Sequence, residues 1–187
     1  ELYGVNRDGS KGEIIFGYRA GQTSKLTTVK TKRNVYAIAN FIDMLPDDPK
    51  HILISTSSSG TMTNPKPGQI LRLNVYSGKV KRVMSLPHLS MDVLTDRAGN
   101  PRFSIGENAE GDVTVFSRAA GSGEWKLLET NPDEAISPVA FEGENRVLFT
   151  VDNEKTGLQS LVELDLTSGE RKTRWKDDIV SPIGGFS

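Results

Sequence analysis

The chain has 187 residues, of which 36% are hydrophobic and 25% are charged, a composition typical of a folded domain. Its 23 Lys and Arg side chains nearly balance 24 Asp and Glu side chains, giving a net charge of -1, so we expect neither nucleic acid nor a membrane surface as a partner. The absence of cysteine excludes disulfides, thiolate metal sites and a cysteine nucleophile.

A strand-like run that ends in a small turn closed by glycine recurs along the chain. It reads LYGVNRDGSK at Leu2–Lys11, LRLNVYSGK at Leu71–Lys79 and VELDLTSGE at Val162–Glu170, with a degenerate copy, VTVFSRAAGSGEWK, at Val113–Lys126. After the first copy, the turn glycines occupy positions 78, 123 and 169, in steps of 45 and 46 residues. A repeat of roughly 40–50 residues with several short strands is typical of a β-propeller blade.

Taken in chain order, the predicted strands form units of four, A to D, with the glycine turn between C and D. A part-blade with only C and D occupies residues 1–20, and an insertion follows at 21–34. Complete blades span about 36–86, 87–131 and 132–177, and strand A of a further blade begins at 181–187. We therefore predict an all-β chain: a single β-propeller fragment over 1–187, with about three complete four-stranded blades plus flanking part-blades, an arc of a larger ring.

The third blade shows the pattern most clearly. Its predicted strands are Ile136–Phe141, Arg146–Val151, Ser160–Leu166 and Glu170–Trp175. Val, Ile, Leu, Thr and Phe fill such strands, while the turns use Asp, Asn, Ser and Gly, which tolerate the positive φ of tight hairpins. Few stretches carry the apolar spacing of an amphipathic helix, so we expect almost no helix. A second insertion, Thr56–Gly68, has the composition of a surface loop.

Four phrases of the chain are distinctive: LYGVNRDGSK with IIFGYRAG at the start, then DMLPDDPKHILIS, LRLNVYSGKVKRV and LTDRAGNPRFSIG. Together they resemble the N-terminal propeller of prolyl-oligopeptidase-family serine peptidases, in particular the bacterial acyl-peptidase and dipeptidyl-peptidase-like branch. In that family, a propeller caps an α/β-hydrolase domain and filters the peptides that reach a Ser–Asp–His triad. The resemblance therefore implies two partners, a hydrolase domain of the same parent chain and peptide substrates.

The chain departs from that family because it contains no G-x-S-x-G nucleophile elbow. The nearest candidates are Gly60, which follows a run of serines, and Ser122, which stands between two glycines; both lie in predicted loops. We therefore predict no catalytic residue in this chain, which makes it a non-enzymatic part of a serine peptidase.

The two histidines are the first residues to consider as a general base or a metal ligand. His51 opens a predicted B strand, and His88 lies in the link between two blades. Since neither has a second histidine nearby and the chain has no cysteine, we interpret both as structural residues. We accordingly predict no metal site and no cofactor.

Three acidic pairs and one basic stretch are the remaining charged candidates. The pairs Asp47/Asp48, Glu142/Glu144 and Asp177/Asp178 do not extend into a calcium-loop pattern, so we interpret them as solvated turn residues. The stretch Lys25–Arg33 has four cations in an insertion, which we interpret as a solvated loop rather than an anion site.

The aromatic residues are predicted to pack rather than to bind a ligand. Trp125 and Trp175 lie in predicted D strands, where aromatic side chains seal one blade against its neighbour. The phenylalanines of the predicted A and B strands are expected in the core, namely Phe41, Phe103, Phe141 and Phe149.

Two functions remain open at this point. The first is a propeller segment of a serine peptidase that gates peptides and docks on the hydrolase domain. The alternative is a TolB-like or WD40-like propeller that acts as a protein-interaction platform. An open arc leaves two blade faces uncovered, so we also expect self-association through those faces. Relatives of the peptidase kind are often exported to the bacterial periplasm or secreted, and a cytoplasmic location stays open.

Overall fold

The computed structural model of the protein describes residues 1–21, 35–58, 67–87, 89–107, 112–128, 134–153 and 156–182. All regular elements in these ranges are β-strands. They are, in chain order, β1 Leu2–Gly4, β2 Glu13–Phe16, β3 Ala37–Asp43, β4 His51–Ser58, β5 Gln69–Asn74, β6 Val80–Ser85, β7 Leu89–Thr95, β8 Pro101–Glu107, β9 Val113–Ser117, β10 Lys126–Leu127, β11 Glu134–Glu142, β12 Arg146–Asn153, β13 Gln159–Asp165 and β14 Arg171–Trp175.

The strands form one two-stranded hairpin and three sheets of four strands. The N-terminal hairpin pairs β1 with β2, and the three sheets comprise β3 to β6, β7 to β10 and β11 to β14. Within each sheet, neighbouring strands follow one another along the chain, so each sheet is a simple meander. We call them the first, second and third sheets.

This arrangement confirms the prediction of an all-β chain built from three four-stranded units after a two-stranded part-unit. The predicted strands of the third unit match β11 to β14 within two residues at each end, and the predicted part-blade at residues 1–20 contains β1 and β2. The predicted strand at 181–187 lies mostly outside the described residues, and Ser181 and Pro182 are not in a strand. The insertion 21–34 also falls almost entirely outside them.

The chain divides into two compact units, Glu1–Ser90 and Met91–Ser187. In the first unit, the N-terminal hairpin packs on one face of the first sheet. Ile15 and Phe16 of β2 form a buried cluster with Ile54 of β4 and with Leu71 and Leu73 of β5. Ile54 and Leu73 are completely buried, so this cluster is the hydrophobic core that joins hairpin and sheet.

In the second unit, the core lies between the second and third sheets. Phe103 and Val115 come from the second sheet, and Ile136, Val147, Phe149 and Leu164 come from the third.

The aromatic rings of this core meet in edge-on and tilted contacts. The ring of Phe103 lies 5.5 Å from that of Phe149 in a T-shaped arrangement and 5.9 Å from the tilted ring of Phe141. The prediction that these three phenylalanines belong to the core is confirmed. For Phe41 it is wrong, because this side chain is 53% exposed at an edge strand of the first sheet.

Candidate functional site

The most regular polar feature of the molecule is the turn that joins the third and fourth strands of the first and third sheets. In the first sheet, the Asn74 side-chain oxygen accepts the backbone N–H groups of Tyr76 and Ser77 at 3.1 and 2.9 Å. In the third sheet, Asp165 accepts those of Thr167 and Ser168 at 2.8 and 2.9 Å. A short polar side chain therefore closes both turns in the same way.

The backbone hydrogen bonds of the two turns are also equivalent. The N–H of Gly78 donates to the Asn74 carbonyl at 2.9 Å, and that of Gly169 donates to the Asp165 carbonyl at 2.8 Å. Both glycines have a positive φ, 66° and 75°, which L side chains adopt only at a cost. The phrase that repeats in the sequence is thus one three-dimensional turn made twice.

The same turns are tied to the turn that joins the first two strands of their sheet. The N–H of Val75 donates to the carbonyl of Lys50 at 3.0 Å, and the N–H of Leu166 donates to the carbonyl of Asn145 at 2.7 Å. In a meander, the first and third turns lie at the same end of the sheet. Each of these two sheets therefore has one end where two polar turns are joined.

At this end of the first sheet, three polar side chains form a network with His51. Its Nδ1 lies 2.7 Å from Oδ2 of Asp48, and its Nε2 lies 3.3 Å from the side-chain nitrogen of Asn74. Arg72 of β5 donates to the same Asp48 oxygen. Because a carboxylate only accepts hydrogen bonds and an amide nitrogen only donates them, the arrangement places the imidazole proton on Nδ1.

The charge of Asp48 is stabilised by this network. The hydrogen bond from the Arg72 guanidinium, assisted by the one from His51, holds the pKa of the Asp48 carboxyl below its usual range. His51 has both ring nitrogens engaged, one by a carboxylate and the other by an amide. The geometry resembles two members of a catalytic triad, but an amide occupies the place of the nucleophile. The network thus joins the two turns through side chains as well as through the backbone.

The second sheet has a different ionic network at the corresponding end. Asp96 lies in its first turn, where it accepts the N–H groups of Ala98 and Asn100. The guanidinium of Arg102, which is 5% exposed, lies 3.3 Å from Asp96, donates to the Arg118 carbonyl at 2.9 Å and stacks over the Phe141 ring at 5.2 Å. Burial, reinforced by the charge of Arg102, lowers the pKa of Arg118.

On the third sheet, the carboxylate of Glu163 is buried among charged side chains. The Arg174 guanidinium lies 3.5 Å from Glu163 and 3.1 Å from Glu142, and Arg146 is 4.0 Å from Glu163. Glu163 Oε2 is buried without a hydrogen-bond partner, and the two guanidinium groups lie at ion-pair distance from this oxygen. Glu142, predicted as a solvated turn residue, is in fact half-buried in this network.

The remaining candidate residues that the structure describes lie in separate turns and do not form a shared site. His88, Gly60 and the basic stretch at 25–33 lie outside the described residues. The Asp177 carboxylate accepts the N–H groups of Ile179 and Val180, so it closes a turn as predicted. Ser122 Oγ accepts the N–H of Glu124 in a turn. Among the residues that the structure describes, no three acidic or histidine side chains converge as metal ligands.

The N-terminal hairpin carries an exposed aromatic and ionic group. Arg19 pairs with both carboxylate oxygens of Glu1, at 2.6 Å for the shortest contact, and donates to the Tyr3 hydroxyl at 3.0 Å. This pairing lowers the pKa of Glu1 to about 2. The Tyr18 and Tyr36 rings lie 4.7 Å apart, and the hydrogen bond between their hydroxyls raises the pKa of Tyr36. The group fastens the start of β1 to the turn after β2.

The two outer edges of the first sheet differ in character. At one edge, β6 presents exposed Lys81 and Arg82, and β14 of the third sheet likewise presents exposed cations, Arg171, Lys172 and Arg174. At the opposite edge of the first sheet, β3 and its flanking residues present apolar side chains: Tyr36, Ile38, Phe41 and Met44 are 67%, 60%, 53% and 68% exposed. This surface was not predicted from the sequence, where Phe41 was expected in the core.

The chain was compared with protein-family models and with curated proteins, and neither comparison gave a match. In the described part of the chain, no helix is long and apolar enough to cross a membrane.

Proposed function

We propose that this chain is a non-catalytic β-propeller segment of a prolyl-oligopeptidase-type serine peptidase. In this proposal the three four-stranded sheets are blades, which gate peptides on their way to an α/β-hydrolase domain of the parent protein and dock on that domain. The observation that carries the proposal is the threefold repetition of a four-stranded meander, the unit from which propellers are built.

The position of the distinctive phrases supports the peptidase assignment. LPDDP at 45–49 and NVYSGK at 74–79 are the pieces that most resemble the peptidase propellers. They form the two turns that the His51 network joins at one end of the first sheet. The resemblance therefore concerns residues that interact in three dimensions, not scattered strand positions.

The chemistry of the described residues agrees with a non-catalytic role. His51, which is the histidine within the described part of the chain, is held between Asp48 and the Asn74 amide, so its second nitrogen faces a donor rather than a hydroxyl that it could deprotonate. A gating segment needs a rigid frame and an accessible surface, not a nucleophile. In this proposal, the joined turns supply the frame and the exposed side chains of the first unit supply the surface.

The test uses the natural full-length protein and a fluorophosphonate probe, which labels activated serines. We expect one labelled serine, within a G-x-S-x-G sequence outside residues 1–187. We also expect that removal of 1–187 lets the remaining enzyme cleave a long protein chain such as casein, while a short chromogenic peptide is cleaved by both forms. A full-length protein that does not react with the probe and consists of further blades would show that the peptidase function is wrong.

A protein-interaction platform is the second candidate, favoured by the exposed apolar side chains along β3. It needs no hydrolase domain. The same labelling experiment separates the two, because a platform has no activated serine and gives stable partners on affinity purification of the full-length protein.

A further inference from the structure

We propose that the outer edge of β3 binds an extended apolar peptide by strand addition. The proposal rests on the proposed function in one respect, namely that peptides are the ligand class. Among the described residues, β3 is hydrogen-bonded to a strand on one side only, that of β4. An edge strand presents backbone N–H and C=O groups to a further strand, which is the basis of peptide binding by strand addition.

Three other edges, those of β6, β11 and β14, carry features that discourage such pairing. β6 and β14 expose five cations, Lys81 and Arg82 on the first and Arg171, Lys172 and Arg174 on the second. β11, which occupies in the third sheet the place of β3, contains Pro138, whose nitrogen has no hydrogen to donate. β3 contains no proline, and its single charged residue, Asp43, is the last residue of the strand and is half-buried. Of the four edges of the first and third sheets, the β3 edge therefore has the least protection against pairing.

The register of β3 indicates which peptides fit. Ile38 and Asn40 lie opposite Ser57 and Ser55, so they share one face of the sheet, whereas Phe41 lies opposite Ile54 on the other face. An added strand would therefore meet exposed apolar side chains on both faces. A peptide with β-branched or aromatic residues at successive positions fits better than one that alternates apolar and charged residues.

The size of the edge favours a peptide over a second copy of the chain. Seven residues of strand are about 24 Å long, and with a width of about 10 Å the edge covers roughly 240 Å² on each partner. The resulting total of about 500 Å² is well below the ~1,200 Å² that a stable protein dimer buries. A short extended peptide can bind through this edge alone, because it has no further surface that must fit against the rest of the chain.

The experiment measures amide hydrogen exchange of the 187-residue chain with and without a capped probe peptide, Ac-Val-Tyr-Val-Ile-Val-Lys-Lys-NH2. We expect slower exchange at alternate amides of Ala37–Asp43 and no change in Val80–Ser85, the cationic edge of the same sheet. The same peptide methylated at alternate backbone nitrogens is expected not to bind. Ile38→Lys is expected to weaken binding about tenfold or more, whereas Val83→Lys, at an exposed apolar position of β6, leaves it unchanged.

Three outcomes would overturn the proposal: unchanged exchange in β3, equal binding of the methylated peptide, or equal effects of the two lysine variants. Protection of β3 that appears without peptide and grows with protein concentration would mean that a second copy covers this edge, and would also overturn it. Failure here does not affect the fluorophosphonate result. Conversely, peptide binding by a chain whose parent has no activated serine would leave this site standing and remove the peptidase function.

Discussion

The contact between the second and third sheets gives the sharpest prediction, because one side chain dominates it. Phe103 is completely buried and touches two aromatic rings of the third sheet, those of Phe141 and Phe149. Replacing it by alanine removes the ring and leaves a cavity between the sheets. Phenylalanine-to-alanine changes in protein cores cost about 3–5 kcal/mol of unfolding free energy.

The upper part of that range is expected for Phe103→Ala. Each aromatic pair contributes roughly 0.5–1.5 kcal/mol beyond the buried area, and this substitution removes two pairs. A typical domain has a total stability of about 5–15 kcal/mol, so the change is a large fraction of the whole. Phe103→Leu retains most of the volume and is expected to lose the aromatic contribution with a smaller cavity term.

The assay is urea unfolding followed by tryptophan fluorescence, since both tryptophans, Trp125 and Trp175, belong to the unit that contains Phe103. The control is Val113→Ala, at a position that is 56% exposed in the same unit, which is expected to change stability by less than about 0.5 kcal/mol. If alanine at 103 prevents folding, the leucine variant supplies the measurement. A loss below about 1 kcal/mol for Phe103→Ala, or one equal to the control, would refute the inference that this ring holds the sheets together.

Three further predictions follow from the turns and the surface. The Asp48 carboxyl has a lower pKa in the folded state than in the unfolded chain, so the unfolded chain binds the proton more readily. The ionised carboxylate therefore stabilises the fold above the pKa of the unfolded state, and this stabilisation is lost as the pH falls through the pKa of the folded state. Urea midpoints measured between about pH 5 and pH 2 should therefore fall less steeply for Asp48→Asn than for the wild type, and parallel curves would contradict this. Gly169→Ala places a side chain at φ 75° and is expected to lower the free energy of unfolding by about 1 kcal/mol, whereas Gly123→Ala, with open space around it and no positive φ, is expected to lower it less. Thermal unfolding of the two variants compares them. Equal melting temperatures would contradict the inference that the turn requires glycine. The chain alone is expected to self-associate through open blade faces, so a sedimentation coefficient independent of concentration would show that expectation to be wrong.

Much of the fold was predictable from the sequence because strands and turns are local. The turns at Asn74 and Asp165 are closed by hydrogen bonds between residues at most five positions apart, so a short polar residue, a serine and a glycine at fixed spacing are enough to specify them. The runs between the turns are short and rich in β-branched residues, so the predicted ends of the strands lie within a few residues of the observed ends.

The side-chain networks depend on the tertiary structure. Arg72 reaches Asp48 from 24 positions along the chain, and Arg102 stacks on Phe141 of a different sheet; no spacing rule relates such residues. The exposure of Phe41 has the same origin. A strand has two faces and each sheet two edges, and periodicity alone does not say which of them another sheet will cover. The amino-acid sequence thus determined where this chain extends and turns, whereas the packing of sheet on sheet decided which side chains are buried, which ions meet, and which edge stays accessible.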